Sequence, residues 1–334
     1  MRTRAWASAA AASCLLLAGC GGGSDGGGSD DGGPEGSGPE GWPDRVILGL
    51  VPSHEVDQLV EDAEVLGDLL AAEVGVPVET FVPTDYAALV IAMETGRAHV
   101  GMFGPIALVQ AADRAGAVIT LQSVRRGAAS YHTQWITNNP DRFCDTPVVE
   151  AENPEGNVFT YCNGTDTATE GPVGEEALTR ITSGETVIFV DPSSASGYYY
   201  PATQLQTVTG IDPITGVDAQ FAGDHPGAIL AVHRGDAEVG VSFDDARNVV
   251  VGEVADIGKV VVFAWSPEIP NDGVAIAGDL PEDLREAITR AFLDIIETPE
   301  GAKAFEAVYS IEGLVPADLE AIDVARKVEA NFGE

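Results

Sequence analysis

Short apolar runs alternate along this chain with longer stretches in which apolar positions recur every three or four residues. Residues 46–51 are almost wholly apolar, and residues 55–74 place Val56, Leu59, Val60, Ala63, Leu66, Leu69 and Leu70 on one helical face. The alternation continues with a strand at 77–82, a helix at 86–95 closed by Gly96, a strand at 99–103, a helix at 106–114 and a strand at 118–124. This order predicts an α/β lobe on a largely parallel sheet. A second set has strands at 133–137, 186–190, 217–222 and 238–243, with helices at 175–182, 197–209 and 228–234. The chain then returns through strands at 259–264 and 273–277 and ends in helices at 281–297, 299–309 and 317–331, where Pro281 and Pro316 suit helix starts.

One unit occurs twice. Residues 86–103 lie on residues 225–242 without a gap, so that Ala92, Gly96, Ala98, Val100 and Gly101 fall on Ala231, Gly235, Ala237, Val239 and Gly240. Each copy reads as a helix, a glycine cap and a buried strand; a match this sparse also arises by chance in an Ala/Gly/Val-rich chain. A true repeat makes Tyr86 and His225 equivalent, each at a helix N-terminus on the C-terminal edge of its sheet. Open α/β sheets bind ligands at that edge, and two such edges facing each other form a cleft.

The N-terminal end changes the picture from a cytosolic protein to an exported one. Arg2 and Arg4 precede an apolar run at 5–18 that is too short to span a bilayer and reads as a secretion signal, residues 1–19. The run ends in Leu17-Ala18-Gly19-Cys20, which resembles the lipobox of bacterial lipoproteins. That resemblance implies a lipid anchor on Cys20, at the outer face of the cytoplasmic membrane or in the periplasm; the alternative is an ordinary signal peptide with an incidental cysteine. Residues 20–41 are Gly, Ser, Asp, Glu and Pro, a composition that cannot bury a core and predicts a disordered tether. The remainder exceeds the usual single-core limit, so two lobes are expected: 42–130 for the first, 131–250 for the second, and a return to the first over 251–334.

Cys144 and Cys162 remain, on one short irregular stretch at about 140–174. In an exported chain this predicts a disulfide; a zinc site is the alternative, with only His132 nearby. The net charge of −36 argues against nucleic acid or anionic lipid as a partner of the folded part. Any anionic ligand must therefore be held by local donors.

The sharpest chemistry lies at 187–202, Val-Ile-Phe-Val-Asp-Pro-Ser-Ser-Ala-Ser-Gly-Tyr-Tyr-Tyr-Pro-Ala. A buried strand runs into Asp191-Pro192, and Ser193, Ser194, Ser196 and Gly197 open a helix. The first amides of a helix lack internal partners and carry the positive end of its dipole, so three hydroxyls there form a cradle for a tetrahedral oxyanion. One serine would suffice as a cap. No lysine follows in the Walker pattern, which excludes a nucleotide-hydrolysing P-loop.

Four segments together are similar to the phosphonate, phosphite and phosphate binding proteins of ABC importers: Asp85-Tyr86-Ala-Ala, residues 100–105, residues 189–197 and residues 223–232. The resemblance covers about residues 46–300. It implies a two-lobed type II periplasmic-binding fold that closes on its ligand about a two-strand hinge. It implies permease and ATPase subunits as partners, no cofactor, no metal, and a monomer. Position by position, Tyr86 would offer its phenol from the first lobe, while Ser193, Ser194, Ser196 and the Gly197 amide would hold phosphoryl oxygens. His225 and Asp244 would stand opposite. The 140–174 stretch departs from the family as an insertion outside the cradle, and Asp244 is followed by Asp245, so either acid could face the cleft.

Asp244 beside a phosphoryl group requires a proton between them, supplied by a P–OH group or by the ammonium of an aminophosphonate. A helix cap is the other reading of Asp244, and of His225. No Gly-x-Ser-x-Gly elbow, His-Glu-x-x-His pair or metal-spaced Cys/His set is present, so an enzyme is not expected. A sulfonate, another organic anion or a pyrimidine precursor is the alternative ligand.

Overall fold

The apolar runs become two sheets, joined by a short ladder between them. The computed structural model describes residue 39 and residues 41–332. The expected leader, Cys20 and nearly all of the tether lie outside the described residues. The strands are β1 Val46–Leu50, β2 Val78–Phe81, β3 Val100–Phe103, β4 Val118–Val124, β5 Ser130–Tyr131, β6 Thr133–Thr137, β7 Val149–Glu152, β8 Val158–Tyr161, β9 Thr186–Phe189, β10 Asp218–Phe221, β11 Val239–Phe243, β12 Val261–Trp265, β13 Ile269–Pro270, β14 Gly273–Ile276 and β15 Gly313–Pro316.

In the first lobe the order is β15-β4-β14-β3-β1-β2. β1 runs parallel to β2 and β3, while β14 returns antiparallel between β3 and β4. The helix Val56–Val74 covers this sheet with Leu59, Ala63, Leu66 and Leu70. Each of these leucines contributes roughly 1.5–3 kcal/mol when fully buried. Glu55 caps the helix through the Gln58 amide, and Gly75 closes it in a left-handed conformation. At Gly67 a Cβ would stand 2.5 Å from Thr80 Cγ2, so glycine lets this helix lie close against β2.

In the second lobe the order is β10-β9-β11-β6-β12-β8-β7. Its core divides between the two faces of the sheet, one around Trp135, Phe189 and Phe263 and the other around Ile136, Ile229 and Val262. The lobe runs on to Trp265, beyond the expected boundary at 250, because β12 pairs with β6 and β8 rather than with the first sheet. The chain crosses between lobes beside β5 and β13, which pair antiparallel as Ile269 with Tyr131 and Pro270 with Ser130. Asn271 Nδ2 donates to the Ser123 and Ala128 carbonyls, tying the two crossings together.

The 140–174 stretch extends the second sheet through β7 and β8, and Cys144 is disulfide-bonded to Cys162. Fully buried Arg247 fastens this addition. Its guanidinium donates to the Asp245 carboxylate and to the carbonyls of Thr160 and Val260. Breaking a buried pair of this kind by removing one partner costs about 3–5 kcal/mol.

Candidate functional site

The cradle segment follows β9. Asp191 turns the chain, accepting the Ser193 amide on its carboxylate at 2.7 Å and the Ser194 amide on its carbonyl at 3.0 Å. The expected single helix divides into a π-helical turn, Ala195–Tyr199, and the helix Tyr200–Thr209. Ser194 caps the turn, its Oγ accepting the Gly197 amide at 3.0 Å. That amide, expected to be free for a ligand, is occupied. A Cβ on Gly197 would stand 2.4 Å from Val190 Cβ, so the glycine serves close packing of the turn on the strand end. The amides of Ala195 and Ser196 open the turn without carbonyls one turn back to receive them.

Ser196 is the cradle residue on the cleft wall. Its Oγ accepts from Tyr131 Oη at 3.3 Å and its carbonyl accepts from Thr133 Oγ1 at 2.9 Å, so β5 and β6 hold it in place. Ser194 is buried behind it, and Ser193 stands at the turn, outside the cavity lining.

Tyr86 and His225 do occupy matching helix starts. Asp85 caps the helix Tyr86–Glu94 through the Ala88 amide, and Asp224 caps the helix His225–Arg234 through the Gly227 amide. The second helix begins three residues before the sequence pattern places it, because this cap and Pro226 accommodate the first turn. Both residues also join the lobes: the Tyr86 amide donates to the Asp191 carboxylate, and the His225 amide donates to the Ser53 carbonyl at 3.4 Å. Burial first, then Tyr309 and Asp191, raise the Tyr86 phenol well above its ordinary value. Burial first, then His54 and Arg125, lower His225 to about 3, so its imidazole is neutral; its Nδ1 lies 2.8 Å from Ser242 Oγ.

Several residues join these that the sequence reading passed over. His54 lies between Tyr309 and Phe243, at ring distances of 5.9 and 6.1 Å, and burial lowers it to about 4. Arg125 Nη2 meets Asp272 Oδ2 at 2.5 Å, and Arg125 Nε donates to the Tyr309 carbonyl. His54 follows β1 at the C-terminal edge of the first sheet, so the rule that picked out Tyr86 and His225 could have found it. Asp272 and Tyr309 come from distant parts of the chain and carry no local signal.

Asp244 and Asp245 separate cleanly in role. Asp245 is buried and bound to Arg247 and to Tyr161 Oη. Asp244 lines the cavity; one of its oxygens lies 3.6 Å from Arg126 Nη1, and Oδ1 is buried without a hydrogen-bond partner. Burial chiefly pushes its carboxyl up to about 7, against the pull of Arg126.

The interlobe cavity has a volume of about 840 Å³. It reaches from Ser196 and Tyr131, past His54 and Asp244, to residues 152–155 and 165–169 of the 140–174 stretch. That stretch therefore lies outside the cradle yet supplies part of the cleft wall.

A family model described as ABC transporter, phosphonate, periplasmic substrate-binding protein matches residues 48–322. The chain belongs to that family. This phosphonate-family protein is thus the substrate-binding component of an ABC transporter, one of a family of solute-binding proteins rather than enzymes, and works outside the cytoplasm. The phosphate-import protein PhnD of Mycolicibacterium smegmatis is 26% identical over 250 residues, 70% of this chain and 68% of that protein. The phosphonates-binding periplasmic protein of Escherichia coli is 22% identical over 258 residues, 75% of this chain and 66% of that protein. Two solved structures superpose with a TM-score of 0.69. One is a binding-protein component of an ABC phosphonate transporter from Pseudomonas aeruginosa, 19% identical and covering 86% of each chain. The other is PhnD1 from Prochlorococcus marinus in complex with methylphosphonate, 15% identical and covering 86% of this chain and 98% of that one. The fold is that of the type II periplasmic binding proteins.

Proposed function

We propose that this substrate-binding protein captures a phosphorus oxyanion, whether phosphonate, phosphite or phosphate, and delivers it to the permease and ATPase subunits of an ABC importer while tethered to the membrane by lipid on Cys20. The observation that carries the reading is the placement of Ser196. Its hydroxyl stands at a helix start, on the cavity wall, beside the Tyr131 phenol. Helix-opening amides and hydroxyls suit the directions of oxygens on a tetrahedral anion. The neutral imidazole of His54 on the cavity wall adds a donor that carries no full charge, while Tyr86 and His225 are buried outside the cavity lining. The unpartnered Asp244 oxygen supports a ligand that brings a proton. Leaving it unmatched by a fully deprotonated anion would be a source of selectivity.

A thermal-shift series with phosphate, phosphite, methylphosphonate, aminoethylphosphonate and sulfate tests this. A true ligand at about one hundred times its Kd stabilises by about 2.7 kcal/mol. Ser196→Ala is expected to weaken that ligand about 10- to 100-fold, the loss of one hydrogen bond to a charged group. Unchanged affinity would remove Ser196 from the site, and a shift with sulfate alone would overturn the phosphorus assignment. For the anchor, Cys20→Ser is expected to release the protein from the membrane fraction in its host; equal membrane retention of parent and variant contradicts a lipid on Cys20.

A further inference from the structure

We infer that Phe332, just beyond the helix Leu319–Ala330, is a positioning residue for ligand capture: its ring braces the cradle turn and thereby holds Ser196 in place on the cavity wall. The inference rests on the oxyanion reading of the Ser196 site. It adds a residue that acts on that site from outside the cavity lining.

The turn needs such support. Residues 195–199 form a π-helical turn, in which the Tyr199 amide donates to the Ser194 carbonyl at 3.1 Å. Wide turns of this kind are rare and short, and they occur frequently at functional sites. This one also straddles the lobes. Ala195 and Tyr200 are buried in the core of the first, whereas Tyr198 is buried in that of the second. Ser196 lies between the two anchors, so a shift of either core moves its hydroxyl.

The helix Leu319–Ala330 bridges the same boundary. Ile322 and Ala325 are buried in the first core, Val328 packs against it, and Arg326 pairs with Asp113 on the helix Pro105–Ala115. Asp318 fixes the helix start by accepting the Glu320 and Ala321 amides. Phe332 packs against the second core instead. Its ring stands 5.8 Å from Tyr198 and, edge to face at 82°, 5.6 Å from Tyr199. Tyr198 in turn meets Phe189, at the end of β9, at 5.2 Å and 88°. Tyr199 Oη accepts from Gln110 Nε2 at 3.5 Å, a second tie to the first lobe. Phe332 thus touches both tyrosines of the turn from a helix seated on the opposite lobe. Coupling of this kind is reciprocal: a brace that orders the cradle for a ligand is itself ordered when the ligand binds.

Calorimetric titrations with inorganic phosphate and methylphosphonate, made well below the Tm of each variant, and hydrogen exchange of the unaltered chain test this. Phe332→Ala is expected to weaken the bound anion about tenfold. Phe332→Leu, which keeps an apolar contact, is expected to stay within about threefold of the parent. In a Ser196→Ala background the Phe332→Ala change should cost less than about threefold, because the group it positions is gone. Ile322→Val, which loosens the helix on its first-lobe face, should lower Tm and leave affinity within about twofold. A purely structural Phe332 would behave as Ile322 does. On the unaltered chain, saturation with the anion is expected to slow amide exchange at residues 327–332 at least about threefold. Unchanged affinity in Phe332→Ala, or a loss of equal size without the Ser196 hydroxyl, overturns the inference. So does unchanged exchange at 327–332, a result that requires no variant to fold. A loss with Ser196→Ala but none with Phe332→Ala overturns the brace alone, whereas no loss with Ser196→Ala overturns the reading of that site and the brace with it.

Discussion

Asp244 combines a carboxylate oxygen that lacks a donor with a carboxyl pushed up to about 7, mainly by burial. The folded state therefore holds a proton there that the unfolded chain has already released at the same pH. For a carboxyl raised in this way, the stabilising contribution is present at low pH and is lost as pH rises from about 4 through about 7. Asp244→Asn should thus stabilise the empty protein at about pH 8, by up to about 4 kcal/mol, and change little near about pH 4. Binding should show the same proton. Once Asp244 and the ligand have both lost theirs, each capture event must take one up, so affinity should fall about tenfold per unit of pH above about 8. Urea melts and calorimetric titrations at several pH values measure both. A slope that survives in Asp244→Asn would assign the proton to another group.

At the level of elements, most of the architecture was legible in the chain. The helix Val56–Val74 and the strand β4 lie within a residue of where periodicity puts them, because one buried face dictates each pattern. The twofold unit gave matching helix starts at Tyr86 and His225, complete with the aspartate caps before them. The hairpin β7–β8 escaped notice. The Val-Glu-Ala-Glu of β7 alternates, but over only four residues at the sheet edge, and Val149 and Val158 are exposed, so the pattern marks no buried face. β15 escaped for a similar reason, as an edge strand pairing only with β4. In the site, three serines in four positions read as three ligand donors, yet the backbone assigns them different work. Ser194 spends its acceptor on the cap, and Ser196 alone lines the cavity. The cleft role of the 140–174 stretch depends on a pairing between Glu155 and Arg126 across the lobes, which no local pattern encodes.

For the molecule as a whole, a net charge of −36 poses a physical difficulty for a protein that collects anions. Exposed acids among the cavity lining, Glu306 and Glu312, add to that repulsion. Held donors inside the cleft act only at contact distance, whereas the field of the surface charges acts on approach. Salt separates the two, because the Debye length shortens from about 30 Å at 0.01 M to about 8 Å at 0.15 M while contacts inside a closed cleft are screened far less. The association rate for methylphosphonate should therefore rise severalfold over that range, the reverse of a steered anion and a cationic receptor. The dissociation rate should hardly change. Aminoethylphosphonate, whose ammonium offsets its phosphonate charge, should show a weaker dependence. Stopped-flow recording of tryptophan fluorescence, with Trp265 on the cavity wall as reporter, measures both rates. An association rate that falls with added salt would mean that a cationic approach path outweighs the acids, and Arg125 and Arg126 would be the residues to substitute next.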